Sequence, residues 1–263
     1  MSQKKPIIVC VPGAWCMPEI YTPTTDILAK AGYTCLTVAL PGVGFEQRSP
    51  EDKAGPKPVP GLQDDASAVR EVVLSQLDAG HDVVLVCHSY GGVVGSEAVR
   101  GLDRASRGNG NGNGTGAVIH LVYIAAIIVD VGGQVWPGGK TPEDGNFIVQ
   151  GDVCWRDASA PGSERFLSCC DEAAINHIVK YVRPHTFRCF ADPITHTAWR
   201  HIPGTYVVAK EDVLPNQMAL APADHRFEEI VELEADHFAI CGAPGPVAEV
   251  IQRAAEKAIA VGP

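Results

Sequence analysis

The chain has 263 residues, 46% of them hydrophobic and 20% charged, a balance that can bury a sizeable core and excludes extensive disorder. Acidic residues outnumber basic ones 31 to 21, for a formal charge of -10, so the mean field disfavours nucleic acid and anionic membrane surfaces and favours a small-molecule partner. No segment approaches the roughly 18 apolar residues of a membrane span, and the run Ile7 to Val11 behind Lys4 and Lys5 is cut by Pro12-Gly13, too early for a signal-peptide core.

Ile7-Ile8-Val9-Cys10-Val11 is wholly apolar, the pattern of a central strand buried on both faces. Thr24 to Ala31 reads as a helix closed by Gly32, and Thr34 to Leu40 as the next strand, closed by Pro41-Gly42. Phe45 to Pro60, rich in Pro, Gly and charge, predicts a surface loop. Leu62, Ala66, Val69, Val73 and Leu77 then recur at helical spacing, with Asp64 and Asp65 in the first turn, where the helix dipole favours negative charge. Val83 to Cys87 is a second wholly apolar strand and Tyr90 to Leu102 the helix after it, with His88-Ser89 between them. Residues 104 to 116 carry an Asn-Gly-Asn-Gly-Asn-Gly tract that predicts a mobile loop, and Val118 to Ala126 is another apolar strand.

The alternation of strands and helices lapses after residue 126 and resumes near Gly204. Residues 127–200 therefore read as a cap, or lid, inserted into a core made of residues 1–126 and 201–263. Its expected character is helical, because Ala174, Ile175, Ile178 and Val179 have helical spacing, while Trp136, Trp155 and Trp199 mark apolar surface that needs cover. Thr205 to Ala209 resumes the sheet, Ile230 to Leu233 supplies the last strand, and Val247, Val250, Ile251, Ala254 and Ala258 make a closing amphipathic helix. Such repeated units imply an α/β fold with a mostly parallel sheet and helices on both faces.

Cys87-His88-Ser89-Tyr90-Gly91-Gly92 lies where a buried strand turns into a helix, the setting of a nucleophile elbow. Gly91 meets the need for a small residue two places after the nucleophile, whereas Cys87 stands where this turn usually has glycine. The plain alternative is that Ser89 only caps the helix. A nucleophilic serine needs a base, and His237, between the last strand and the closing helix, is placed for it. His81 and His225 precede strands, His120 lies inside one, and His88 should point away from the site. His177, His185, His196 and His201 belong to the insertion or its return. The carboxylate that orients the histidine should follow the strand at 205–209, where Glu211 and Asp212 both stand; Asp212 lies deeper in the loop, and Asp236 is a third choice. The backbone N–H groups of Ala14 and Tyr90 are the candidate oxyanion donors, with Gly13, Trp15, Trp155 and Phe238 as candidate substrate contacts.

The nine cysteines are scattered, odd in number and without a C-x-x-C pair, which suggests reduced, structural thiols and a cytoplasmic protein. Adjacent Cys169 and Cys170 read as plain residues of the insertion. His196 and His201 have no third ligand at metal spacing, and no phosphate-binding glycine loop is present, so no metal and no cofactor are expected. The oligomeric state is open, with a homodimer as the assembly to test.

Val11-Pro12-Gly13-Ala14-Trp15, Cys87 to Gly92, Tyr206 to Asp212 and Ala235-Asp236-His237-Phe238 together resemble the α/β-hydrolase superfamily. The similarity is to its branch of plant methylesterases, hydroxynitrile lyases and their fungal and bacterial relatives, and it runs through nearly the whole chain. The resemblance implies the α/β-hydrolase fold, places the catalytic acid on Asp212, and makes hydrolysis of a carboxylic ester or lactone of a hydrophobic small molecule the leading expectation. Pro12 replaces the histidine of many members, which alters the entrance. Phe238 replaces the lysine that helps stabilise cyanide in the lyases, which disfavours that chemistry. A cofactor-independent C–C lyase or cyclase with the same triad, and a ligand-binding receptor on the same scaffold, are the alternatives.

Overall fold

A computed structural model describes residues 4–46, 57–108, 116–142, 147–214, 218 and 221–260. Its strands are β1 (Ile7–Val11), β2 (Cys35–Thr37), β3 (Val83–His88), β4 (Val118–Ile124), β5 (Phe147–Gln150), β6 (Val153–Arg156), β7 (His185–Thr186), β8 (Gly204–Ala209) and β9 (Phe227–Leu233). Its helices are α1 (Thr22–Lys30), α2 (Leu62–Asp78), α3 (Gly91–Ala98), α4 (Arg104–Arg107), α5 (Glu172–Tyr181), α6 (Arg188–Ala191), α7 (Ala239–Gly242) and α8 (Pro244–Ala260). The Asn-Gly tract and most of the loop expected over 45–60 lie outside the described residues.

Six strands form one sheet in the order β2-β1-β3-β4-β8-β9, and every pair is parallel. Successive side chains of a strand face opposite ways, so the wholly apolar runs feed two cores. Val9, Val11, Leu85 and Cys87 face one core with Leu62, Val69 and Val73 of α2. Ile8, Cys10, Val84 and Val86 face the other with Leu28 of α1 and Val247 and Ile251 of α8. The edge strand β9 alternates instead, with Glu228, Ile230 and Glu232 exposed, because only one of its faces meets protein.

Differences from the sequence-based expectation lie at element edges, within residues 127–200, and at Arg104–Arg107, where a loop was expected but the Asp103 carboxylate accepts the Ser106 amide and caps a short helix. The second strand is shorter than Thr34–Leu40 and the helix after Ser89 ends at Ala98. Residues 127–200 carry the helix expected from their spacing as α5, but they also hold a three-stranded antiparallel sheet, β5-β6-β7. The signal for that sheet is Phe147-Ile148-Val149-Gln150 and Val153-Cys154-Trp155-Arg156 flanking Gly151-Asp152. Gly151 has a φ of +58°, as a two-residue hairpin turn requires. Antiparallel bridges from Cys16 to Val182 and from Val43 to His185 join residues 127–200 to the loops that follow β1 and β2. No helix among the described residues is long and apolar enough to cross a membrane.

Candidate active site

The parallel strands β1, β3 and β8 end at one edge of the sheet, so the loops after them converge. Ser89, directly after β3, has a φ of +52°, a backbone region that L-residues adopt only under constraint. The constraint is visible: the Ser89 carbonyl accepts from the Gly92 and Ile127 amides at 3.0 and 2.9 Å, while its own amide donates to the Ile124 carbonyl at 3.2 Å. A Cβ on Gly91 would stand 2.5 Å from the Val11 carbonyl oxygen, and one on Gly92 2.8 Å from that of Ile127. Only glycine lets α3 start so close to its neighbours. Cys87 is tolerated in the elbow because Gly95, one turn into α3, makes room for it; a Cβ there would lie 2.5 Å from the Cys87 Sγ.

The turn presents Ser89 Oγ to His237, whose Nε2 is 2.9 Å away, and the His237 Nδ1 is 2.8 Å from Asp212 Oδ2. Ser89 and His237 are 6% and 5% exposed, so the chain of hydrogen bonds is largely withdrawn from water. The second oxygen of Asp212 accepts the Leu214 amide at 2.9 Å, which fixes the carboxylate. Asp212 thus takes the position for which Glu211 was the competing candidate; Glu211 is exposed. Asp236, the third choice, is buried and turned elsewhere, its carboxylate accepting the amides of Cys169 at 2.8 Å and Phe238 at 2.9 Å.

His88 departs from expectation. Its ring does not point away but lies 5.0 Å from that of His237, and its Nε2–H donates to the His237 carbonyl at 2.8 Å. Burial, reinforced by the neighbouring His237, lowers its pKa to about 3, so His88 is a neutral brace for the histidine loop. Two factors explain the misreading: the elbow turns so sharply that residues on both sides of Ser89 stay near it, and His237 arrives from a distant part of the chain.

Gly13 packs against the serine, since a Cβ on it would be 3.1 Å from Ser89 Cβ. Among the described residues, neither the Ala14 nor the Tyr90 amide meets a protein acceptor. Trp15, at a φ of +64°, turns into the insertion, stacks on Phe147 and Phe190, and donates its indole N–H to the Cys154 carbonyl at 3.0 Å. Phe238 borders the His88 and His237 rings. Trp155 is half-buried on β6 opposite Ile148, with no ring contact to His237 among the described residues; that contact comes from Phe166, edge-on at 5.5 Å. Phe166 lies over the Arg156 guanidinium at 3.6 Å. Nothing in the spacing around Phe166 marks it, because the insertion has no simple periodicity there.

Taken together, the geometry can deprotonate a hydroxyl and hold the resulting imidazolium against a carboxylate. The family model described as the alpha/beta hydrolase family matches residues 8–250. The chain is 31% identical to an alpha/beta hydrolase, nvfD, of Aspergillus novofumigatus, over 98% of this chain and 99% of that protein. Among solved structures, the methylesterase MES16 from Arabidopsis superposes with a TM-score of 0.67 at 22% identity, covering 95% of this chain and 99% of that one. Polyneuridine aldehyde esterase superposes with a TM-score of 0.70 at 16% identity and the same coverage of both chains. At those identities the two structures speak to the fold.

Proposed function

The chain belongs to the alpha/beta hydrolase family, and from that premise we propose that it hydrolyses a carboxylic ester or lactone of a hydrophobic small molecule through an acyl-serine. The observation that carries this reading is the unbroken chain Asp212–His237–Ser89, with contacts of 2.8 and 2.9 Å, ending on a serine held at a positive φ. Asp212 accepts a hydrogen bond from the His237 Nδ1–H, which leaves Nε2 unprotonated to take the Ser89 proton as Oγ attacks the carbonyl carbon. The Ala14 and Tyr90 amides stabilise the oxygen that gains charge. His237 then gives its proton to the leaving alcohol, and a water deprotonated by His237 releases the acid and restores Ser89. In a lactone, acid and alcohol are one opened molecule.

The apolar preference is supported by the aromatic surround of His237, with Phe166 and Phe238 on its flanks. The test is a panel of aryl esters, methyl esters and macrocyclic lactones assayed with the wild type and Ser89→Ala. Turnover of at least one class, falling about 10⁴-fold or more in Ser89→Ala, is expected; turnover retained by that variant would overturn the reading. Mass spectrometry of quenched reactions adds the decisive distinction, since an acyl adduct on Ser89 is expected here and is not required of a C–C lyase or cyclase.

A further inference from the structure

Outside the triad, the structure buries a second polar cluster around Asp65. This residue lies on the apolar stripe of α2 between Leu62 and Val69 and is fully buried. Its Oδ1 accepts the Gly42 amide at 2.7 Å. Its Oδ2 accepts three donors: the Tyr90 hydroxyl at 3.1 Å, the His185 Nε2–H at 3.2 Å and the Cys189 thiol at 3.3 Å. His185, also fully buried, accepts the Trp15 amide on Nδ1 at 3.3 Å, so its proton must sit on Nε2.

Aspartate, histidine and cysteine at this distance are metal ligands by type, but the proton pattern opposes an ion. A metal on Nε2 would force the proton to Nδ1, face to face with the Trp15 N–H. With the Trp15 amide as donor, the cluster satisfies itself.

What the cluster reaches is more telling. Tyr90 carries one proposed oxyanion amide, and its hydroxyl is anchored to Asp65. Trp15 follows Ala14, which carries the other, and the Trp15 amide is anchored to Asp65 through His185. Trp15 is a non-glycine residue at a φ of +64°, so its peptide needs an external hold; its carbonyl has one as well, accepting the Arg183 amide at 2.8 Å. We propose that Asp65 is a positioning residue that sets both oxyanion amides, one through the Tyr90 side chain and one through His185 and Trp15. The proposal rests on the acyl-serine reading above. It also gives the insertion a catalytic task, since His185 is contributed by β7.

An amide cannot replace this carboxylate. Asparagine can still accept from Gly42, but its NH₂ would confront the three donors that now meet Oδ2. Asp65→Asn should therefore lower kcat on p-nitrophenyl acetate by about 10- to 100-fold, less than the loss of a whole oxyanion donor, with KM changed by less than about threefold. Phenylboronic acid, which forms a tetrahedral adduct with Ser89 Oγ and directs an anionic oxygen to the same amides, should lose affinity by a factor similar to that in kcat. Val73→Ala, a remote cavity in the same helix, supplies a stability control whose melting temperature falls while kcat and boronate affinity hold. If Asp65→Asn does not fold, Tyr90→Phe breaks one of the two anchors and should lower kcat and boronate affinity in parallel, by about 3- to 10-fold.

Unchanged kcat in the folded variant, a kcat loss without a matching boronate loss, or stoichiometric zinc whose removal alters wild-type activity would overturn the proposal. Activity retained in Ser89→Ala would instead overturn the acyl-serine reading, so the two failures are distinguishable.

Discussion

Ser89 sits at a positive φ that glycine adopts freely and alanine does not. Ser89→Gly and Ser89→Ala should therefore be equally inactive but unequal in stability, with the glycine variant more resistant to urea by about 1 kcal/mol; an alanine variant of equal or greater stability would remove the strain from the elbow. The acid can be assigned with the same economy. Asp212→Asn should lower kcat by about 10³-fold or more by disturbing the His237 tautomer, while Glu211→Gln, at an exposed site, should leave kcat within about twofold. The reverse order would move the role to Glu211. The meeting of Ser89, Asp212 and His237 was legible in the sequence because each follows an expected strand, and strand ends determine where loops meet. His88, Asp65 and His185 were not, because their partners come from 149 and 120 residues away along the chain. One clue to Asp65 was nonetheless available: an acidic residue on the buried stripe of a helix, where every neighbour at helical spacing is apolar.

The packing of β3 on α3 shows how one departure from a motif is absorbed by another element. Cys87 fills space that glycine would leave, and Gly95 yields it. Gly95→Ala would ordinarily favour an α-helix by about 1 kcal/mol, yet here the added methyl meets a sulfur and should destabilise the fold by about 1–3 kcal/mol. Cys87→Gly in the same background should recover most of that loss, a non-additivity readable by urea unfolding of the two single variants and the double; additive effects would show that the two positions do not share the space. At this scale the buried central strands were legible almost to the residue, since a run such as Val83 to Cys87 leaves little choice. The insertion was legible only in part, because α5 has a clear period whereas β5 and β6 are four residues each and announce themselves mainly through Gly151-Asp152.

For the molecule as a whole, two buried histidines link folding to pH. Burial lowers the pKa of His88 to about 3 and that of His120, bonded to the Thr205 hydroxyl at 3.0 Å, to about 4. Below the ordinary histidine value of about 6.5 the unfolded chain binds protons that the folded one refuses, so stability falls as pH falls, by about 1.4 kcal/mol per pH unit for each histidine until its folded pKa is passed. The urea midpoint should thus drop between pH 6.5 and 5, and His120→Gln should flatten the decline; a midpoint that holds level over this range would contradict the burial of both rings. Practical access to the insertion follows from its thiols. Of nine free cysteines six are buried, Cys35 and Cys170 are half-buried, and Cys169 is exposed, with its backbone amide held by Asp236 beside His237. A maleimide fluorophore would therefore attach first at Cys169, one hydrogen bond from the histidine loop, and its emission would follow the approach of substrate in the natural sequence, with no cysteine added or removed.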